Sequence, residues 1–247
     1  MSRKRLDLLL VERGLFESRA KAVEAIVAGR VLVEDRTASK PSEMVDEAAA
    51  ITAGAAHPWV GRGALKLDHA MSLWPIAVEG RVVLDVGAST GGFTDVCLSR
   101  GARRVYAVDV GRGQLHARIK ADPRVVDLQA TDARALDRRV IAAPVDLIVC
   151  DVSFIGLAKA LPAALALADP AADLVALVKP QFEVGPARVG KGGVVKDEAD
   201  RQNALQGVKD FLEAGGWTVQ AVADSPILGA DGNREFLLWA RPVPAPK

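Results

Sequence analysis

Cysteine is nearly absent. The 247 residues hold two, Cys97 and Cys150, each inside an apolar segment. That leaves nothing for a disulfide framework or a metal-ligand cluster, and it fits a reducing, cytoplasmic setting. Long apolar runs are missing too. The nearest approach, residues 158–178, is interrupted by Lys159, Pro162, Asp169, Pro170 and Asp173, so no membrane span is expected. The basic opening Met1-Ser2-Arg3-Lys4-Arg5 runs into Asp7, Glu12 and Arg13 and is not expected to act as a secretory leader. There is little net charge, +1 in total. The balance hides an asymmetry: nine Lys/Arg against six Asp/Glu in residues 1–40 leave +3 there and −2 in the remainder. A modest basic arm suits an anionic partner.

What is present is ordered as an arm and a body. In the arm, Leu6, Leu9 and Leu10 fall at helical spacing before Gly14. Ser18 is placed to cap a second helix with Ala22, Val23, Ile26 and Val27 as its apolar face, ending at Gly29. Val31–Val33 reads as a short strand with a turn near Asp35, and the segment around Ile51 completes a compact α+β unit. Residues 53–58, small and Gly/Pro-bearing, read as a linker, which divides the chain into 1–57 and 58–247. The body begins with a helix from Gly63, whose buried stripe is Leu67, Ala70, Met71 and Trp74. Strands follow at 82–86, 104–109, 125–128, 145–151 and 173–179, with helices from about 92 and 113 and at 157–168 and 199–214. This is an α/β alternation with a parallel sheet covered on both faces. Strands 217–223 and 234–240 have no helix between them and should form a hairpin through residues 229–233, leaving the last strand antiparallel.

The segment 82–94 is the focus of the body. An apolar strand stops at Asp85, and Gly87-Ala88-Ser89-Thr90-Gly91-Gly92-Phe93 then turns into a helix. Glycines there let backbone approach a ligand, and the helix start offers free N–H groups. The spacing is not G-x-G-x-x-G, and a carboxylate before the turn repels a pyrophosphate. Asp85 suits instead the ammonium end of S-adenosylmethionine (SAM), and Asp109, at the end of the next strand, is placed for a ribose diol. Asp132 is either a contact for the adenine amino group or a turn acid.

Ligands of open α/β sheets lie outside the carboxyl ends of the strands. Asp151 and Lys179 end two buried strands there. An antiparallel last strand starts at that same edge and brings Glu235 to it, and Lys66 reaches it from the preceding helix. Taken singly, each has a structural explanation as a cap or a surface group. Arg188, Lys191 and Lys196 lie on a Gly-rich loop beside them.

Two resemblances extend this reading. The arm, through Arg5-Leu6-Asp7, Ser18-Arg19-Ala20, Ala22, Ile26, Gly29, Val31, Val33 and Lys40-Pro41, resembles the RNA-binding module named after small-subunit ribosomal protein S-four. It departs from that module at Glu34-Asp35, where Asn-Gly is common. The body resembles the FtsJ-like ribose methyltransferases, in the TlyA-type branch also labelled haemolysin A. It does so through Arg62-Gly63-Ala64-Leu65-Lys66-Leu67, Leu84 to Thr94, Ala107 to Leu115, Asp151 to Ile155, Leu177 to Glu183, Val189 to Val195 and Gly232 to Phe236. The resemblance implies a Rossmann-like SAM-dependent enzyme that methylates a ribose 2′-hydroxyl, on cytidine, in ribosomal RNA or a ribosomal subunit, with no metal. It implies a Lys66-Asp151-Lys179-Glu235 tetrad in which Lys179 accepts the hydroxyl proton or stabilises its anion. Asp151 and Glu235 would orient Lys179, and Lys66 would hold the ribose or a phosphate. Gly87 to Phe93, with Asp85, Asp109 and Asp132, would bind SAM. Arg3, Lys4, Arg5, Arg19, Lys21, Arg30, Lys40, Arg62, Arg188 and Lys191 would bind RNA by its phosphates. Competing readings are a membrane-lytic protein, a NAD-linked oxidoreductase, and an RNA-binding protein without catalysis.

Overall fold

The computed structural model describes residues 2–229 and 231–244; Ala230, in the expected hairpin, and the last three residues lie outside them. The chain divides into two compact units, Met1–Pro58 and Trp59–Lys247.

In the first unit, strand β1 (Arg3–Arg5) leads into helices α1 (Leu6–Glu12) and α2 (Arg19–Val27). Short strands follow: β2 (Val31–Val33), β3 (Arg36–Thr37), β4 (Met44–Asp46) and β5 (Ile51–Ala53). β1 pairs with β4, and β2 lies between β3 and β5, all antiparallel. Ser18 caps α2 by accepting from Lys21 N at 3.3 Å. The buried face of α2 is Ala22, Ala25 and Ile26, whereas Val27 is 73% exposed. The expected face was therefore off by one position: the i, i+3, i+4 set includes Ala25 and turns Val27 outward. The β2–β3 turn carries positive φ at both Glu34 (+47°) and Asp35 (+62°). Two-residue hairpin turns of this kind favour Asn-Gly, so the departure seen in the sequence leaves the backbone path intact.

The second unit is built on a seven-stranded sheet. Its strands are β6 (Val82–Val86), β7 (Arg104–Asp109), β8 (Val125–Gln129), β9 (Val145–Cys150), β10 (Ala168–Val178), β11 (Trp217–Asp224) and β12 (Phe236–Pro242). They lie in the order β11-β12-β10-β9-β6-β7-β8, with β12 antiparallel to both its neighbours and the other pairings parallel. Alternation along the strands divides the core. Val82, Leu84 and Val86 face helices α6 (Leu157–Ala160), α7 (Pro162–Leu165) and α8 (Glu198–Ala214). Val83 faces α3 (Ala64–Leu73) and α4 (Gly92–Ser99). Burial on both faces explains why the strands read as continuous apolar runs.

Three expected elements differ. The helix at 157–168 is two short helices, because Pro162 lacks an amide hydrogen to continue the first. β10 begins at Ala168, with a register shift against β9 between Ala168 and Asp173. The helix expected from about 113 is only α5 (Ala117–Lys120).

At the edge of the sheet opposite the strands' carboxyl ends, Asp173 is fully buried. It accepts from Arg81 (2.6 Å), Arg241 (2.7 Å) and the Trp239 indole (2.8 Å). Asp173→Ala strands these donors, and we expect a loss of about 3 kcal/mol of stability, read by urea unfolding; a loss below about 1 kcal/mol would mean that water replaces the carboxylate.

Candidate active site

β6 leaves the sheet at Val86 into a turn in which Gly87 (φ +85°) and Gly91 (φ +89°) have left-handed backbone. Gly87 also runs against β9: a Cβ on it would lie 2.7 Å from the Asp151 carbonyl oxygen, so a side chain there would part the two strand ends. Asp109, ending β7, braces the turn. Its Oδ2 accepts from Ser89 N at 2.8 Å, and its Oδ1 accepts from Gly111 N at 2.7 Å.

A cavity of about 490 Å³ opens above these strand ends, within the ~300–1,000 Å³ of small-molecule clefts. Asp109, Asp132, Asp151, Arg134, Gln114, Thr131, Ser89 and Ser153, with Gly87, supply its polar wall, three acids against one arginine, and Val110, Ala133, Val152 and Ile155 its apolar one. A second hollow of about 230 Å³ is lined by Gly63, Gly87 to Thr90, Gly92, Phe93, Asp151, Ser153 and Lys179. The two share Gly87, Ser89, Asp151 and Ser153, so they adjoin at one wall.

The four ionisable residues converge as two pairs. Lys179 Nζ lies 2.6 Å from Asp151 Oδ1 and donates to Ser153 Oγ at 2.9 Å. The Lys179–Asp151 approach is an ion contact without hydrogen-bond alignment, and it leaves Asp151 Oδ1 buried with no aligned donor. Lys66 Nζ meets Glu235 Oε2 at 2.7 Å, with the two residues 7% and 2% exposed. The pairs are neighbours. Val178 stands opposite Phe236 across β10 and β12, so the next residues outward are Lys179 and Glu235. A Cβ on Gly63, at the start of the helix bearing Lys66, would lie 3.6 Å from Asp151 Oδ2. The expectation that Glu235 orients Lys179 is corrected: its partner is Lys66, and Ser153 takes the position on Lys179.

Asp85 requires a larger correction, since it lines neither hollow. Strand alternation sets it beside Val83 on the α3–α4 face, where it is fully buried and accepts from Thr94 Oγ1 at 2.6 Å. Burial pushes its carboxyl up to about 7, against the Thr94 hydrogen bond and with help from the nearby Asp151 charge. The sequence argument against a pyrophosphate passes to the acids that do line the cavity, Asp109, Asp132 and Asp151. Asp132 itself is held low, at about 2, by the Arg134 guanidinium and caps a short turn by accepting from Arg134 N at 2.9 Å.

Sequence reasoning missed Ser153, Thr94 and Phe154. Phe154 has a left-handed backbone (φ +65°), is 91% exposed at the cavity rim and packs against Phe182 at 5.3 Å between ring centroids. The Asp-x-Ser-Phe order was in view, but nothing local marks a strained turn there. In the first unit, Arg5 (2.9 and 3.0 Å) and Arg19 (2.9 Å) converge on the buried carboxylate of Asp7. Lys4 pairs with Glu12, Lys21 with Glu24, and Arg3 donates to Met44 O. Arg30, Lys40, Arg62 and Lys191 are exposed, and Arg188 is exposed and paired with Asp200 at 3.1 Å.

A family model described as FtsJ-like methyltransferase matches residues 59–242. The chain belongs to that family. An S4 domain model matches residues 4–51. The chain is 48% identical over 241 residues to the 16S/23S rRNA (cytidine-2'-O)-methyltransferase TlyA of Mycobacterium tuberculosis, covering 97% of this chain and 90% of that one. It is 36% identical to hemolysin A of Brachyspira hyodysenteriae, covering 94% and 98%. A Streptococcus thermophilus structure solved under a hemolysin name aligns with a TM-score of 0.77 at 36% identity, covering 100% and 90%. Among the described residues no helix of this FtsJ-like protein is long and apolar enough to cross a membrane, and no cluster of metal-ligating side chains is found.

The raised Asp85 carboxyl has a stability consequence. Between its unfolded value near 3.8 and its folded value of about 7, the folded state binds the extra proton, so stability falls as pH rises through that window. Three pH units correspond to at most about 4 kcal/mol. Asp85→Asn should flatten the decline in melting temperature between about pH 4 and 7; an unchanged slope would show that Asp85 ionises in the fold as it does in water.

Proposed function

We propose that this chain transfers a methyl group from SAM to a ribose 2′-hydroxyl of ribosomal RNA, on a cytidine. The observation that carries this is Lys179, which lines the smaller hollow and is held there by Asp151 and Ser153, two residues of the wall shared with the larger cavity. The names of the TlyA relatives supply the substrate.

The larger cavity fits SAM. Asp109 keeps lone pairs beyond its two backbone donors, and as an acceptor-only group it suits a ribose diol. Bare backbone at Gly87 allows close approach, Val110, Ala133, Val152 and Ile155 suit an adenine, and the acidic lining favours a sulfonium and its ammonium over a pyrophosphate. Bound there, SAM supplies a methyl group already activated by positive sulfur. The chain's own residues have the other half of the task. A ribose hydroxyl in the smaller hollow meets Lys179, whose ammonium, held by its hydrogen bond to Ser153 and its ion contact with Asp151, stabilises the oxygen as negative charge develops. Asp151, whose side chain is 18% exposed beside Lys179, receives the hydroxyl proton as the new O–CH3 bond forms. The Lys66–Glu235 pair lies buried at the neighbouring strand end, and exposed Phe154 offers a ring face on which the target base stacks. Arg5 and Arg19, braced by Asp7, with Arg30 and Lys40, contact RNA phosphates and add affinity that falls with salt.

Purified protein, labelled SAM and ribosomal subunits from cells lacking this gene provide the test: label should enter a cytidine ribose, and none entering RNA would refute the proposal. Lys179→Ala should lower the rate at least about 1,000-fold while SAM affinity, by calorimetry, stays within about twofold; turnover near that of the wild type would remove Lys179 from the chemistry. Asp109→Ala should weaken SAM by about tenfold or more through the lost diol contact, seen in the same titration.

A further inference from the structure

Asn233 is polar yet fully buried, and both ends of its amide are used. Oδ1 accepts from Val195 N at 2.9 Å, and Nδ2 donates to Gly193 O at 2.8 Å. Both partners belong to the glycine-rich loop 189–196, which folds back through Gly190 N to Val194 O and Gly193 N to Gly190 O, each 3.1 Å. Gly192 (+83°) and Gly193 (+78°) give the loop backbone torsions closed to most side chains, and Lys191 and Lys196 are exposed on it. On its own side Asn233 is anchored. Its carbonyl accepts from Gly229 N at 2.9 Å, Glu235 O accepts from Ser225 N at 2.9 Å, and the buried Arg201 guanidinium lies 4.6 Å from the Phe236 ring centre. A loop rich in glycine and poor in packed side chains is loose unless something fixes its backbone.

We propose that Asn233 is a positioning residue: it clamps the glycine-rich loop to the segment bearing Glu235 and so presents Lys191 to a phosphate of the substrate RNA strand. An amide is the required group, because one backbone N–H and one carbonyl must be met side by side. A carboxylate answers the first and repels the second; an alkyl group answers neither. The inference rests on the methyltransferase reading for its ligand, while the clamp itself stands on the hydrogen bonds.

The test uses the full chain carrying Asn233→Ala, Asn233→Asp or Lys191→Ala, and the Asn233→Ala/Lys191→Ala double variant. Limited trypsin digestion reads the clamp: cleavage after Lys191 and Lys196 should quicken about tenfold in both Asn233 variants. Steady-state methylation of ribosomal subunits reads its purpose: KM for RNA should rise about tenfold, with kcat and SAM affinity within about twofold. Lys191→Ala should raise KM similarly, and the double variant no further. Unchanged cleavage overturns the clamp, and so does a fall in kcat or in SAM affinity at constant RNA KM, which would mark Asn233 as part of the chemistry or of the general fold. A wild-type protein that methylates no RNA refutes the functional reading alone, and the digestion still decides the clamp.

Discussion

Strands β6 and β9 leave the sheet side by side, and where they do so the missing side chain of Gly87 lets the two backbones nearly touch. With the Asp151 carbonyl oxygen 2.7 Å from where a Cβ would stand, any other residue must widen the gap between the strand ends. Widening would separate the cavity braced by Asp109 from the hollow lined by Lys179, because Gly87 and Asp151 line both. Transfer between two bound molecules needs them in contact and in line. One absent methyl group therefore decides whether two adjacent pockets act as one site.

Charge at this edge is arranged so that little of it is buried alone. Removing a lysine or a carboxylate from water costs several kcal/mol unless a partner lies close. The two lysines and two acids form separate contacts, Lys66 with Glu235 and Lys179 with Asp151. Pairing in this way separates two environments: the Lys66–Glu235 pair is almost fully buried, and the other, whose Asp151 side chain is 18% exposed, lines the smaller hollow. Asp85 takes the alternative route open to a buried acid. With Thr94 for company and its other oxygen lacking a partner, it holds its proton to about pH 7, and so avoids carrying a charge beneath the glycine turn.

The sheet, its order of elements and the convergence of Lys66, Asp151, Lys179 and Glu235 were legible in the sequence because each depends on a repeated signal: apolar runs, their ends, and the switch to a hairpin. What failed to show depends on facing directions. Asp85 was read as a ligand contact from its place before the turn, but in a strand the parity of the position decides which face a side chain takes, and parity set it under α4. Glu235 was assigned to Lys179 because both were known to reach one edge, and nothing in the sequence ranks two lysines as partners of one acid. Val27 was placed in the arm's core by hydrophobicity, and helical phase put it outside. Ser153 and Phe154 escaped notice because their roles come from the left-handed turn after Asp151, which Phe154 adopts without glycine to announce it.

The antiparallel strand β12 explains why the edge can be furnished from so far along the chain. A parallel strand delivers only its last residue to the carboxyl edge, whereas an antiparallel one delivers everything that precedes it. Inserting β12 between β10 and β11, with Val178 opposite Phe236, sets Glu235 beside Lys179 and leaves Asn233 and Arg234 just beyond. Arg201 reaches the Arg234 carbonyl at 3.4 Å, and Asn233 meets the glycine-rich loop. A shift of one residue in that register would carry Phe236 from one core face to the other and turn Glu235 away from Lys66. The packing of β12's two buried faces thus fixes the placement of a carboxylate that lies outside the strand, and core packing and site geometry are set by the same register.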